Sequence, residues 1–256
     1  FEEEYDNIVN GLKEAAKMIF EKQNMTISYT GKEEAPEFMK AEVESFIEGL
    51  YEDQKQGEKV KVTCTKSNEG FATAGVQYVA CAGNFKDAGL EYTGALKVLQ
   101  MIFSYEYLWI QIRVKGGAYG CMCSFSDQGD SMFVTYRDPN LSESYKVYDE
   151  AADYVADFDA DDRDMKKYII GTIGSMDMPM EAVDMGARSF HAYFLGKTEA
   201  DLQKVRDQVL SCTQEDIRAL APIVKAVVEA GNRCCIGNEE KIDQNKEYFD
   251  EVKHVL

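Results

Sequence analysis

Arg113, the pair Gly116-Gly117, Tyr119, Cys121 and Cys123 fall within one stretch, IRVKGGAYGCMCSFS, residues 112–126. Three chemistries are conceivable for such a set: a phosphate loop, a metal site, or a grip on a substrate. The stretch lacks G-x-x-x-x-G-K-[ST] and G-x-G-x-x-G, and it follows a helical pattern instead of opening one, so it is no nucleotide loop. Its glycines more simply permit a sharp helix-to-strand turn. Cys121 and Cys123 share a strand face, because strand side chains alternate. Two thiolates alone do not close a structural zinc site, and no C-x-x-C completes the set.

The other metal donors are few. His191 lies in ARSFHAYFLG and His254 near the end, neither within H-E-x-x-H or its inverted form H-x-x-E-H. A catalytic zinc site needs three protein ligands, so no metal site is expected in this chain. A cysteine nucleophile would need a positioned histidine that the sequence does not name. Cys234 and Cys235 are adjacent and read as small strand residues on opposite faces. Arg113 and Tyr119 remain. A guanidinium offers a planar fork of donors to peptide carbonyls, and a phenol can donate to a developing oxyanion. A capping arginine and a packed tyrosine would show the same pattern.

The chain has 256 residues, 45% apolar and 29% charged, with a net charge of -18. That balance excludes the basic footprint of a nucleic-acid binder. No apolar run is long enough to span a membrane, and no signal peptide is visible. Seven cysteines, an odd number, point to reduced thiols and a cytoplasmic location. The chain opens Phe1-Glu2-Glu3 within a helical pattern, as a piece of a longer polypeptide would.

The elements that must position Arg113 and Tyr119 follow from periodicity. Residues 1–23 read as a helix (Ile8, Leu12, Ala15, Ala16, Ile19), 25–31 as a strand, and Pro36 opens a second helix with Phe38, Val43, Phe46, Ile47 and Leu50. Tyr51–Lys59 is polar and reads as a linker. VKVTC (60–64) and AGVQYVACAGNF (74–85) read as strands. A helix over 93–114, apolar nearly all round and so expected buried, ends at Gly116-Gly117. Two strands then flank Asp127-Gln128-Gly129-Asp130 as a hairpin. Pro139 keeps Asp138 extended, and Asn140 with Glu143 forms a capping box. The remainder is helical, with breaks at Asp159, Pro179, Gly196 and Gly231. Thr198 with Asp201 and Thr213 with Asp216 start further helices, RCCIG is a late strand, and a last helix runs to the end. Strands first and helices later make an α+β class with an antiparallel sheet covered by helices.

IRVKGGAYG, TYRDPNL and IIGTIGSMD resemble the C-terminal region of presequence proteases, of the pitrilysin/insulinase family of zinc metallopeptidases. VQYVACAGNF and GARSFHAYFLG resemble the same region, in the right order. The resemblance implies residues 1–58 as the end of a preceding, third domain with its linker, and 59–256 as the fourth. It implies a clamshell whose N-terminal half binds zinc, in the same polypeptide or a partner chain. This half would close the chamber and grip a peptide, Arg113 and Tyr119 contacting its backbone and Tyr119 the scissile carbonyl. Arg137 could face the same chamber, and Gly171 and Gly174 would permit close helix packing. Zinc would be the cofactor of the whole enzyme and absent from this chain. A scaffold module that only pairs with a catalytic partner is the alternative.

Overall fold

The computed structural model describes residues 2–31, 34, 37–52 and 66–255. In chain order, helices α1 (Tyr5–Ile19) and α2 (Glu37–Glu48) precede strands β1 (Glu69–Thr73) and β2 (Tyr78–Asn84). Helix α3 (Ala95–Ile102) continues through two π-helical segments, Phe103–Tyr107 and Trp109–Lys115. The hairpin β3 (Gly120–Phe125) and β4 (Asp130–Tyr136) follows, then helices α4 (Ser142–Asp149), α5 (Ala151–Ala156), α6 (Asp162–Met176), α7 (Ala182–Phe194), α8 (Glu199–Leu210), α9 (Gln214–Arg218) and α10 (Ala221–Glu229). Strand β5 (Asn232–Asn238), helix α11 (Glu239–Gln244) and strand β6 (Glu251–His254) close the chain.

These elements divide into two units: residues 1–63 with 179–198, and residues 64–178 with 199–256. In the first, the ends of α1 and α2 are tied by Lys22 N–H to Tyr51 O and Tyr51 N–H to Phe20 O, both 3.0 Å. A side chain on Gly186 of α7 would strike Thr30, which explains the glycine. Residues 25–30, expected as a strand, pair with no strand among the described residues. Extended backbone becomes a strand only where a partner takes its hydrogen bonds. Pro36, residues 53–59 of the expected linker and the expected strand 60–64 lie outside the described residues.

The second unit carries a sheet in the order β3-β4-β2-β5-β1-β6, six strands among the described residues. Pairing is antiparallel from β3 to β5, and parallel where β1 joins β5 and β6. The α+β class is thus realised with a mixed sheet. Strand β4 alternates between exposed and buried residues along most of its length. Its buried side, Phe133 and Thr135, continues through Val79, Cys81, Cys123 and Cys235. Helices α3, α4 and α10 cover that face, with Leu96, Leu99, Tyr145, Tyr148, Val224 and Val227 wholly buried. Two phenols secure the layers: Tyr148 donates to Val79 O at 3.1 Å and Tyr145 to Cys234 O at 3.0 Å. Gly83 lets α10 sit on β2, since a Cβ there would lie 2.5 Å from Val227 O.

Several sequence expectations are corrected. The helix over 93–114 is not buried all round: Leu96, Leu99, Ile102, Phe103, Leu108 and Ile112 are buried, while Tyr105, Trp109 and Val114 stay exposed. The final residues are not one helix; α11 is short, and EVKH returns as edge strand β6 alongside β1. Asn140 does not cap α4, whose N-cap is Leu141 without a side-chain bond. Close packing requires a glycine at neither Gly171 nor Gly174: a Cβ on Gly171 would meet Met101 at an ordinary 3.4 Å, and nothing lies near one on Gly174. The Thr213–Asp216 capping box is present in full.

The six described cysteines are free thiols. Burial pushes Cys81 and Cys121 up to about 11, and Cys212 and Cys235 up to about 12. A raised thiol pKa keeps the unreactive protonated form through neutral pH. In the native protein at pH 8, therefore, alkylation of these cysteines is expected to be slow. Thiol titration of the freshly unfolded chain should approach all seven cysteines of the sequence; a clear deficit without oxidant would mean that a disulfide forms.

Candidate functional site

The Arg113–Tyr119 corner is built by the way the long helix ends. Its last segment is π-helical, a geometry often found at functional sites, and Gly116 N–H reaches back to Gln111 O at 3.0 Å. Gly117 then turns the chain at φ 79°. Ala118 N–H donates to Ile112 O at 3.1 Å and closes the turn. Both glycines are needed for different reasons. A Cβ on Gly116 would lie 2.5 Å from Ile112 O, whereas at Gly117 the space is open and only the backbone angle forbids a side chain.

The result stacks the two residues the sequence singled out. The Arg113 guanidinium sits 4.5 Å from the Trp109 ring centroid and 5.5 Å from that of Tyr119. Tyr119 is 63% exposed, so its hydroxyl is available to a ligand. The aromatic row continues: Tyr119 meets Tyr136 edge-on at 5.7 Å, and Tyr136 meets Tyr78 at 5.5 Å. Arg137 lies over Tyr136 at 5.8 Å. Tyr78, Tyr136, Met122, Met132 and Ile236 all lie on the face of the sheet opposite the helices and are exposed. This corner therefore adjoins an open, largely apolar sheet face.

A buried carboxylate anchors the corner from behind. Asp138 is wholly buried and accepts from Ser144 Oγ at 2.6 Å and from Asn140 N–H at 2.9 Å. Burial raises its pKa, and those hydrogen bonds pull it back toward the ionised form. Asn140 has a task the capping pattern did not suggest: its amide donates to Gly116 O at 2.6 Å and so ties β4's exit to the glycine turn. Arg137, just before Asp138, has φ 49°, the positive angle of a non-glycine residue. Its carbonyl accepts Tyr119 N–H at 3.2 Å, while Asp138 N–H pairs with Gln77 O at 2.8 Å.

Trp109, Tyr136 and Tyr78 were not among the sequence candidates. The hairpin loop could have supplied Tyr136, because that loop fixes the register that sets Gly120 opposite Tyr136. Trp109 depends on the π-helical register, which leaves no mark in the residue types.

The two histidines lie apart from each other along the chain and from any carboxylate pair the sequence motifs of a zinc peptidase would supply. His191 is exposed on α7 in the first unit, and His254 of the second lies 3.2 Å from Glu239. No group of three or more His, Cys, Asp or Glu side chains suited to a metal occurs among the described residues. No helix among them is long and apolar enough to cross a membrane.

Comparison with known proteins identifies the scaffold. A protease from Helicobacter pylori superposes with a TM-score of 0.55 at 10% identity, over 81% of this chain and 53% of that one. An M16 peptidase inactive domain from Pseudomonas fluorescens gives 0.54 at 13%, over 86% and 52%. The fold is thus that of M16 peptidase domains. Residues 68–238, more than half of the chain, match the family model of the PreP C-terminal domain. Protein HypA of Clostridium perfringens (strain 13 / Type A) is 41% identical over 256 residues, all of this chain and 26% of that protein. Presequence protease 1, chloroplastic/mitochondrial, of Arabidopsis thaliana is 29% identical over 264 residues, all of this chain and 24% of that protein. The chain belongs to the PreP C-terminal domain family and spans about a quarter of the length of these relatives.

The turn is directly testable. Gly117→Ala forces an L side chain to positive φ, which costs about 1–2 kcal/mol. The expected outcome is a lower melting temperature with secondary structure retained. An unchanged melting temperature would mean that the turn relaxes and does not hold Tyr119 in place.

Proposed function

We propose that this chain is the non-zinc-binding C-terminal half of a zinc endopeptidase that acts on peptides, and that it closes the chamber and grips the peptide backbone. The zinc would be held by an N-terminal half, in the same polypeptide or in a partner chain, where it would activate the attacking water. Residues 1–58 would end the domain before the last one, 59–256. The observation that carries the reading is the Arg113–Tyr119 stack on an exposed corner. Among the described residues Arg113 forms no ion pair, and Tyr119's hydroxyl has no hydrogen-bond partner.

Each residue then has a task. The Tyr119 hydroxyl donates to the scissile carbonyl oxygen as negative charge develops there. Arg113, beside the rings of Trp109 and Tyr119, donates to neighbouring peptide carbonyls and fixes the register of the chain. The open sheet face receives apolar side chains of the peptide and keeps water from them. Preorganisation by the glycine turn matters because a donor that must reorient at the moment of reaction loses much of its effect.

Two experiments test this. In the assembled enzyme with its zinc half, Tyr119→Phe is expected to lower kcat by about 10²–10³, the 2.7–4 kcal/mol typical of one oxyanion donor. Folding should be unaffected, since the ring is exposed. Arg113→Lys keeps the charge, loses the planar fork and should also impair turnover. Wild-type turnover by Tyr119→Phe at unchanged stability would favour the scaffold alternative. Separately, the chain alone is expected to bind no stoichiometric zinc and to cleave no fluorogenic peptide. Tight zinc at one per chain, with activity, would overturn the division of labour.

A further inference from the structure

Arg137 is the residue of this corner that the proposed function leaves without a task. It is the non-glycine residue with positive φ among the described residues. An arginine there is strained, and such strain persists only where the surroundings hold it. Here they do: Tyr119 N–H holds its carbonyl, and the next residue, Asp138, is locked by Ser144, Asn140 and Gln77. The hydrogen bond from Tyr119 N–H to Arg137 O, 3.2 Å, ties the two backbones together.

The side chain is then placed for an external anion. It is exposed and lies over Tyr136, on the open face of the sheet. In a chain with 46 acidic and 28 basic residues, an arginine readily finds a carboxylate, yet Arg137 forms no ion pair among the described residues. The adjacent carboxylate, Asp138, is buried and already bonded to Ser144 and Asn140. The guanidinium carbon lies 5.8 Å from the Tyr136 ring centroid and the residue is exposed, and the planar donor fork of an arginine suits a carboxylate in bidentate fashion.

We infer that Arg137, set on Tyr136 and tied to Tyr119, forms a subsite for a carboxylate of the bound peptide. The carboxylate is either the peptide's C-terminus or an acidic side chain. The inference rests on reading the Arg113–Tyr119 corner as the peptide site. It adds a selectivity that backbone gripping lacks: Arg113 and Tyr119 meet groups common to every peptide, whereas Arg137 separates anionic from neutral ones.

The test uses the assembled enzyme and three matched peptides. The first has a free C-terminal carboxylate and no acidic residue, the second is its C-terminal amide, and the third is the amide with one aspartate. The ratio of kcat/KM for acidic over neutral peptide is measured, together with the ratio of Kd values on the zinc-stripped protein. The wild type is expected to favour a carboxylate about tenfold, as a charge-assisted hydrogen bond provides. The first and third peptides show which source supplies it. In Arg137→Gly the ratio should fall to near one, while the melting temperature holds or rises because glycine accepts the angle freely. Arg137→Lys should keep part of the preference.

Two outcomes overturn the inference: no carboxylate preference in the wild type, or an equal loss on acidic and neutral peptides in Arg137→Gly. The second would make Arg137 only a spacer for Tyr119. Tyr119→Phe separates the two readings, because it should slow all three peptides alike and leave the ratio intact. A silent Tyr119→Phe with a ratio that still depends on Arg137 removes the oxyanion role and keeps the carboxylate subsite.

Discussion

Asp138 carries two oxygens away from bulk solvent, and each must meet a donor there or cost the fold several kcal/mol. Ser144 and the Asn140 backbone meet them. Everything at the candidate site hangs from that solution. Because Asn140 is held, its side chain can reach Gly116 and clamp the end of the long helix. Because Asp138 is held, Arg137 is kept at an angle it would not choose, and its carbonyl meets Tyr119. The helix end, the hairpin and the start of α4 are joined at one buried group, so the exposed side chains above it stand on a rigid base. A preorganised donor needs such a base.

The parts of this arrangement that reside in local chemistry were legible in the sequence. The glycine pair marks a helix stop and a turn. The hairpin is announced by strand residues on either side of Asp127-Gln128-Gly129-Asp130, and the Thr213–Asp216 box reads directly from two side chains. Arg113 and Tyr119 could be named because the turn between them is short. What failed depends on partners distant in sequence. β6 resembles the end of a charged helix and becomes a strand only because β1 lies beside it. Residues 25–30 have the composition of a strand, yet none of the described strands pairs with them. Asn140 and Glu143 match a capping box, but Asp138 supplies the bonds that order the start of α4. Two local patterns competed there, and the buried one decided.

The sheet's two faces divide the work. One is sealed by helices and by the phenols of Tyr145 and Tyr148, which satisfy strand carbonyls from within the core. The other is left open with its tyrosines, methionines and Ile236. Against a net charge of -18, that face is notable for what borders it: Arg113 and Arg137 at one corner, both stacked on aromatic rings. Arg113 is half-buried beside Trp109 and Tyr119, and partial desolvation strengthens the bonds a guanidinium makes with a ligand.

The order of strands has a consequence for how the domain comes to exist. The hairpin, the glycine turn and the side-chain bonds of the Asp138 knot are made by residues 111–144, close together along the chain, with Gln77 joining Asp138 from farther back. β1, laid down far earlier, has no neighbour until β5 and β6 arrive: Glu69 pairs with Cys234 on one side and with Glu251 on the other. Pairings of such long sequence separation form slowly, because the loop must close before the contacts reward it. During synthesis the chemical corner can therefore take shape while β1 is still an unpaired edge, open to pairing with foreign strands. Strands β5 and β6 complete the sheet, and until they emerge from the ribosome the edge of β1 has neither of these partners.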